Sequence, residues 1–323
     1  MTNLAPTATA EVQADVSKAQ SKARRSMVIL YVVLTLLLLI YSLPTIGVLL
    51  TSLKTNAEIS REGVWNLPDS LSLENYRSAI QEGNVGRYIL NSLKVTIPAC
   101  VLSIAFGILT GYTLAKLSFR GSDILFVFLV SGLFFPPQIV VIPLFRMFNS
   151  AGLYDTLWPM IIVHAGFGIP ICTLVLKNFF ATIPTAIREA AIIDGANEIQ
   201  VLVRVMLPLS LPSLAVLATL QFTWIWNDFL WPVIFTRSDN VRTVMFGLAS
   251  LRGQYSVAYG TQSAMAIFAS IPTLLIFIFF QKYFIRGLTL GSVKDGTPGA
   301  GFPKTAAIAR DPTSRRSVTR SAK

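Results

Sequence analysis

The stretch MVILYVVLTLLLLIYSLPTIGVLLTSL, residues 27–53, decides the fold: it contains no charged side chain. A helix rises 1.5 Å per residue and the bilayer interior is ~30 Å thick, so about 20 apolar residues suffice to cross it. The basic flank of Lys18, Lys22, Arg24 and Arg25 resembles that of a secretory signal. The apolar run is too long for a signal, however, and no small-residue cleavage site closes it, so it reads as an uncleaved first span.

Working outward, five more apolar stretches have spanning length: residues 89–117, 124–148, 157–180, 209–235 and 262–284. The third is interrupted by Pro136-Pro137, and the third and fourth both carry internal prolines. The expectation is an all-α, polytopic membrane protein with six transmembrane helices. Composition agrees. Of 323 residues, 53% are hydrophobic and 13% charged, with mean hydropathy +0.61. An average soluble domain carries about 25% charged residues, so lipid must solvate much of this surface.

The net charge of +11 does not indicate a nucleic-acid partner. The basic residues fall between apolar stretches and at the ends rather than on one face. Cys100 and Cys172 lie within apolar stretches and read as small buried hydrophobes. His164 is the sole histidine, which excludes a multi-histidine metal site. It reads as a satisfied intramembrane histidine, with substrate contact or proton relay as the alternative.

The Lys/Arg bias places both termini in the cytoplasm. Lys116, Arg120, Lys177, Arg188, Arg204, Lys282 and Arg286 then lie inside, whereas the first outer loop carries Glu58, Glu62, Asp69, Glu74 and Glu82. Residues 1–25 and 296–323 read as poorly ordered tails, the latter basic through Arg315, Arg316, Arg320 and Lys323. The body of the chain is residues 26–295.

One cytoplasmic segment stands out: IPTAIREAAIIDGANEIQVLVRVMLP, residues 183–208. It reads as helix, turn, helix. Thr185 can cap the first helix and Asn197 the second. Gly195 suits the left-handed residue that ends the first, and Pro208 stops the second. Ala190, Ala191 and Ala196 give a small-residue surface that lets another protein approach closely. The plain alternative is a helical connection lying on the membrane.

This segment resembles the EAA loop of permeases in the ATP-binding-cassette (ABC) importer superfamily. Glu189-Ala190-Ala191, Gly195 and Leu207-Pro208 fall at the family spacing, with Val205 where the pattern has Ile. Other segments resemble the carbohydrate-uptake, maltose-type branch. These are Gly111 to Lys116 with Phe119-Arg120-Gly121, Pro136-Pro137-Gln138 with Ile142-Pro143-Leu144, Trp226-Asn227-Asp228-Phe229-Leu230-Trp231-Pro232, and Gly287-Leu288-Thr289 with Gly291 to Lys294.

The resemblance implies a type I importer permease fold in a prokaryotic plasma membrane. It implies a second related permease, two copies of a cytoplasmic ATPase and an extracytoplasmic sugar-binding protein as partners. Glu189, Ala190, Ala191, Asp194, Gly195, Leu207 and Pro208 would form the ATPase-coupling element. The chain itself carries no Gly-x-x-x-x-Gly-Lys-Ser/Thr sequence. It is therefore expected to bind no cofactor, with ATP and Mg used by the partner ATPase.

For the solute path, Asn227 and Asp228 lie about 18 residues past Leu209, near 27 Å along a helix and toward the outer end of the fifth span. Trp224, Trp226 and Trp231 surround them. Aromatic faces beside polar groups suit sugar rings and equally suit an interfacial aromatic belt. Gln138, beside the paired prolines, is a further candidate. Gly107 and Gly111 form a GxxxG pair that suits close helix packing. Two readings stand beside the sugar permease: an ABC permease for another solute, and an ATP-independent secondary transporter, although neither internal repeats nor mid-span coupling charges support the second.

Overall fold

The structure is a computed structural model, and it describes residues 6–117, 119–251 and 258–292. Among these residues the elements are helical throughout. In chain order they are α1 (Pro6–Ser52), α2 (Asn56–Glu62), α3 (Glu74–Gln81), α4 (Val85–Lys116), α5 (Ser122–Ser131), α6 (Val141–Ser150), α7 (Trp158–Thr182), α8 (Thr185–Ile193), α9 (Glu198–Val201), α10 (Leu207–Trp226), α11 (Leu230–Phe235), α12 (Val244–Ser250) and α13 (Tyr259–Ser292). Helix α1 begins inside the segment expected to be an N-terminal tail; the tail at 296–323 lies outside the described residues.

Five helices are long and apolar enough to cross a membrane, and a bent pair could make a sixth span. That pair is the expected third span. Residues Ser122–Phe134 and Pro137–Ser150 meet at 92° instead of running straight. The residue before a proline is pushed out of the α region. Phe135 (ψ 119°) precedes Pro136, and Pro136 (ψ 126°) precedes Pro137, so two consecutive residues are forced extended. The single prolines inside α1, α4, α7, α10 and α13 leave those helices continuous.

The expected fifth span shifts at both ends. It starts earlier, because Pro208 does not stop the preceding helix. α9 passes through a π-helical turn at Leu202–Met206 into α10, giving one unbroken helix over Glu198–Trp226. The Leu207 amide bonds the Leu202 carbonyl five residues back, just before Pro208, which has no amide to give. The span ends at Trp226, with Asn227 as its last cap and α11 following as a separate helix.

The core is centred on α4 and α7. Glycine brings their backbones together: a Cβ at Gly107 would sit 2.3 Å from Cys172 Cβ, and one at Gly111 would sit 2.9 Å from Leu176 Cβ. The GxxxG expectation thus corresponds to an observed close approach. One apolar cluster runs from Ala79 and Tyr88 through Met160, Trp226 and Phe235 to Met265; a second joins Tyr112, Cys172, Leu176, Phe180, Val201 and Met206. The 18-residue apolar window of α1 buries nothing within the chain.

Contacts sort the connections into two ends. At one end, Asn75 donates to the Ser52 and Lys54 carbonyls and packs on Gly260, Arg87 and Tyr88 reach Asp239, and the Asp155 carboxylate accepts from the Arg237 and Ser238 amides. At the other end, Lys116 donates to the Ile183 carbonyl and Tyr112 to Glu198.

Candidate functional sites

At the second end, α8 and a turn lead into α9, which is continuous with α10. No residue of α8 is buried. Thr185 is its first residue and makes no cap; Pro184 holds the cap position. The exit from α8 is fully bonded. The Gly195 amide donates to the Ile192 carbonyl (2.9 Å) and the Ala196 amide to the Ala191 carbonyl (3.0 Å). This is the Schellman pattern, which requires a left-handed residue between the helices. Gly195 supplies it at φ +88°. Asn197 opens α9 with a reciprocal box: its side chain accepts from the Gln200 amide, and Gln200 accepts from the Asn197 amide.

The expected coupling residues divide by face. Glu189, Ala190, Asp194, Gly195 and Pro208 are exposed, and so are Ile187, Ile192, Ile193 and Ile199. Ala191 and Leu207 turn inward with Ala196 onto the cluster of Tyr112, Phe180 and Val201. The small side chains therefore seat the hairpin on the spans, and a mixed charged and apolar ridge is left facing outward.

A polar clamp that the sequence did not reveal anchors this hairpin. Arg188 of α8 pairs through its guanidinium with the Glu198 carboxylate, and Tyr112 of α4 donates to the same carboxylate at 2.6 Å. Lys116 holds the Ile183 carbonyl at the end of α7 at 2.5 Å. The Glu198 bond holds the Arg188 guanidinium above its ordinary value despite some desolvation, and the neighbouring Tyr112 hydroxyl adds to the effect. The segment Gly111 to Lys116 thereby acquires a physical reason. Gly111 lets α4 touch α7, and Tyr112 and Lys116 reach across to the hairpin.

The second site lies where α10 breaks into α11. An open groove of about 760 Å³ is lined by Leu220, Thr223, Trp224, Asn227, Asp228, Phe229 and Leu230. A smaller cavity of about 160 Å³ adjoins it through Trp224, Asp228 and Leu230, and reaches His164, Phe167, Gln221 and Trp231. Asp228 is held by the Leu230 amide (3.2 Å) and the Trp231 amide (3.1 Å), so it caps α11. Its Oδ2 also lies 3.3 Å from Nε2 of His164 on α7. Asn227 is exposed and donates to the Thr223 carbonyl (2.7 Å). Trp224 is 70% exposed in the groove.

Of the residues expected on a solute path, Asn227 and Asp228 share this groove. Trp231 is buried, stacked on Phe235 with centroids 5.6 Å apart, and touches only the smaller cavity. Gln138 is exposed and lines neither cavity, although its neighbour Pro137 lines the smaller one. His164, read from the sequence first as a satisfied histidine, has a carboxylate partner beside a cavity. An ionisable side chain inside a span marks a functional position by default; its partner lies far along the chain. Among the described residues no group of three or more His, Cys, Asp or Glu could hold a metal.

Residues 103–290 match the family described as binding-protein-dependent transport system inner membrane component. The diacetylchitobiose uptake system permease protein NgcG of Streptomyces coelicolor is 32% identical over 281 residues, covering 86% of this chain and 91% of its own length. The arabinooligosaccharides transport system permease protein AraQ of Halalkalibacterium halodurans is 34% identical over 254 residues, 78% of this chain and 90% of its own. A chain from the crystal structure of a bacterial ABC transporter that imports the acidic polysaccharide alginate shares the fold. Its TM-score is 0.71 at 23% identity, covering 81% of this chain and 98% of that one.

Proposed function

Because the chain belongs to the binding-protein-dependent transport system inner membrane component family, we propose that it forms half of an ATP-driven pathway for sugar uptake across a prokaryotic plasma membrane. The chain is a permease subunit and not itself an enzyme; the ATP-independent transporter reading is set aside with the family assignment. On this proposal a second related permease completes the pathway, two ATPase copies bind and hydrolyse ATP with Mg, and an extracytoplasmic binding protein delivers the sugar.

The observation that carries the proposal is the α8–α9 hairpin with its exposed ridge and its clamp. A coupling element must present a face to a partner and must also transmit that partner's motion. Glu189, Ala190, Asp194, Gly195 and the exposed isoleucines supply the face. Arg188, Glu198, Tyr112 and Lys116 tie the hairpin to α4, α7 and α10, so a displacement of α8 moves three spans together. This end faces the ATPases in the cytoplasm. The end carrying Asp155, Arg87 and Asp239 then faces outward, and an even number of crossings returns the C-terminus inside.

Sugar as the solute is supported by the relatives that carry diacetylchitobiose and arabinooligosaccharides. It is supported also by the groove, where Trp224 stands beside Asn227 and Asp228. The test is co-purification from the native membrane followed by reconstitution. Recovery of an ATPase and a second permease, with ATP-dependent uptake of a neutral oligosaccharide in proteoliposomes, is the expected result. Solute movement by this chain alone, without ATP, would overturn the proposal.

A further inference from the structure

We propose that one water molecule is bound inside the fold between Thr243, Asp228 and Ser92, as a fixed hydrogen-bonding joint that ties α4 and the α10–α11 break to the start of α12. The joint is internal to this chain and stands whichever solute is carried. The site is a small internal cavity of about 10 Å³, separate from the open groove that Asp228 also borders. Ser92 and Thr96 of α4, His164 of α7, Asp228 and Thr243 line it, and the rest of its wall is apolar. About 10–15 Å³ on this measure is room for a single water.

Thr243 supplies the observation that calls for an occupant. It is 6% exposed, and its Oγ1 is buried with no hydrogen-bond partner among the described residues. Thr243 holds the cap position of α12, where a threonine ordinarily gives its oxygen to a free amide of the first turn. Here it makes no cap bond, and the Val244 amide donates instead to Ser92 Oγ at 2.9 Å. The Thr243 hydroxyl is thus turned away from its own helix and bonds no neighbour in its place. Buried hydroxyls in folded proteins are nearly always bonded to protein or to ordered water, because a lone one has lost its hydration without replacement. Apolar cavities stay dry, but a water needs only about two to four polar partners, and five polar side chains line this wall.

The neighbours have capacity left. The Asp228 carboxylate offers about four lone-pair positions. The Leu230 amide takes one on Oδ1, the Trp231 amide takes one on Oδ2, and His164 Nε2 lies 3.3 Å from Oδ2. A position on Oδ1 is left for a water hydrogen. Ser92 Oγ accepts the Val244 amide and keeps its own hydrogen to donate. A water that donates to Asp228 and accepts from Ser92 or Thr243 satisfies the Thr243 hydroxyl without disturbing any bond already made. It requires no particular protonation state of His164, since a water molecule donates and accepts equally well.

The test uses the transporter purified with its partners from the native membrane. A structure resolved well enough to show ordered water is expected to have one peak within about 2.5–3.0 Å of both Thr243 Oγ1 and Asp228 Oδ1. The peak should vanish in Thr243→Val and remain in Thr243→Ser, which keeps the hydroxyl. A dry cavity in the native chain, a peak that survives Thr243→Val, or one lost in Thr243→Ser would overturn the inference.

Amide exchange gives a second readout whose direction separates the two cases. Valine has nearly the shape of threonine without its hydroxyl. Removing a dry, unsatisfied hydroxyl is neutral or stabilising, whereas removing a water-bonded one loses a bond. With the water bound, exchange over residues 244–250 should quicken by about 2- to 10-fold in Thr243→Val. Exchange at the native rate or slower in that variant would overturn the joint while leaving the permease reading untouched.

Discussion

Replacing Gly195 isolates the α8–α9 hairpin, on the proposal the coupling element, from everything else in the chain. A Cβ built there meets nothing within 4 Å, so no steric clash contributes to any substitution. What remains is the backbone, held at φ +88° between the Ile192 and Ala191 carbonyl bonds. A left-handed conformation costs an ordinary L residue roughly 1–2 kcal/mol, and asparagine is the best tolerated of the non-glycine residues there. Each 1.4 kcal/mol is about tenfold. The population of the native hairpin should therefore fall relative to alternatives by about 5- to 30-fold for Gly195→Ala. The loss should be smaller for Gly195→Asn and larger for Gly195→Val, whose branched Cβ tolerates this region least. Gly195→Asp adds to the strain a second charge beside Asp194 on the ridge, and is expected to uncouple. The assay is ATP hydrolysed per solute imported by the reconstituted transporter, with membrane insertion checked by yield. Coupling should fall in the order Gly, Asn, Ala, Val while insertion holds. Native coupling by Gly195→Val, or equal defects for Asn and Val, would refute the backbone argument and with it the hairpin's role as a rigid lever.

Three further expectations follow from the same geometry. Gly107→Ala puts a methyl 2.3 Å from Cys172 Cβ; overpacking of about 1–3 kcal/mol should outweigh the helix-propensity gain of about 1 kcal/mol, lowering the detergent-melting temperature, and Cys172→Gly should return part of the loss. Tyr112→Phe removes the 2.6 Å bond to Glu198 and should loosen the hairpin by about 1.5–3 kcal/mol, read as faster amide exchange over residues 185–200 and a higher ATP cost per solute with the spans unaffected. At the end of the fold that carries Asp155 and Asp239, the Thr55 amide and hydroxyl and the Asp69 amide hold Glu58 below its ordinary 4.5. A depressed carboxylate stabilises above its unfolded value and loses that contribution as pH falls through the folded one, so exchange at Thr55 and Asp69 should accelerate below pH 4.5 in the native chain and be pH-independent in Glu58→Gln after correction for intrinsic rates.

The sequence by itself determined the spans and several of the features that depend on near neighbours. Apolar runs of spanning length identify the spans because lipid demands satisfied backbone over a fixed thickness. The turn at Gly195 and the cap at Asn197 were legible because caps are made by residues within a few positions of each other. Some local readings still failed through chain context. Pro208 follows a turn whose wider hydrogen-bond pattern carries the helix through, so it does not end a helix, while two consecutive prolines at 136 and 137 bend the expected third span by 92°. Only the tertiary structure decided which distant groups share a site. His164 meets Asp228 because α7 and the α10–α11 break pack against each other, and Tyr112 meets Glu198 across a separation of 86 residues. Hydrophobic patterning fixes which face of a helix is buried but carries no record of which polar atom on another helix will oppose it. That information arises when Gly107 and Gly111 let α4 close onto α7 and set the register of every side chain beyond them.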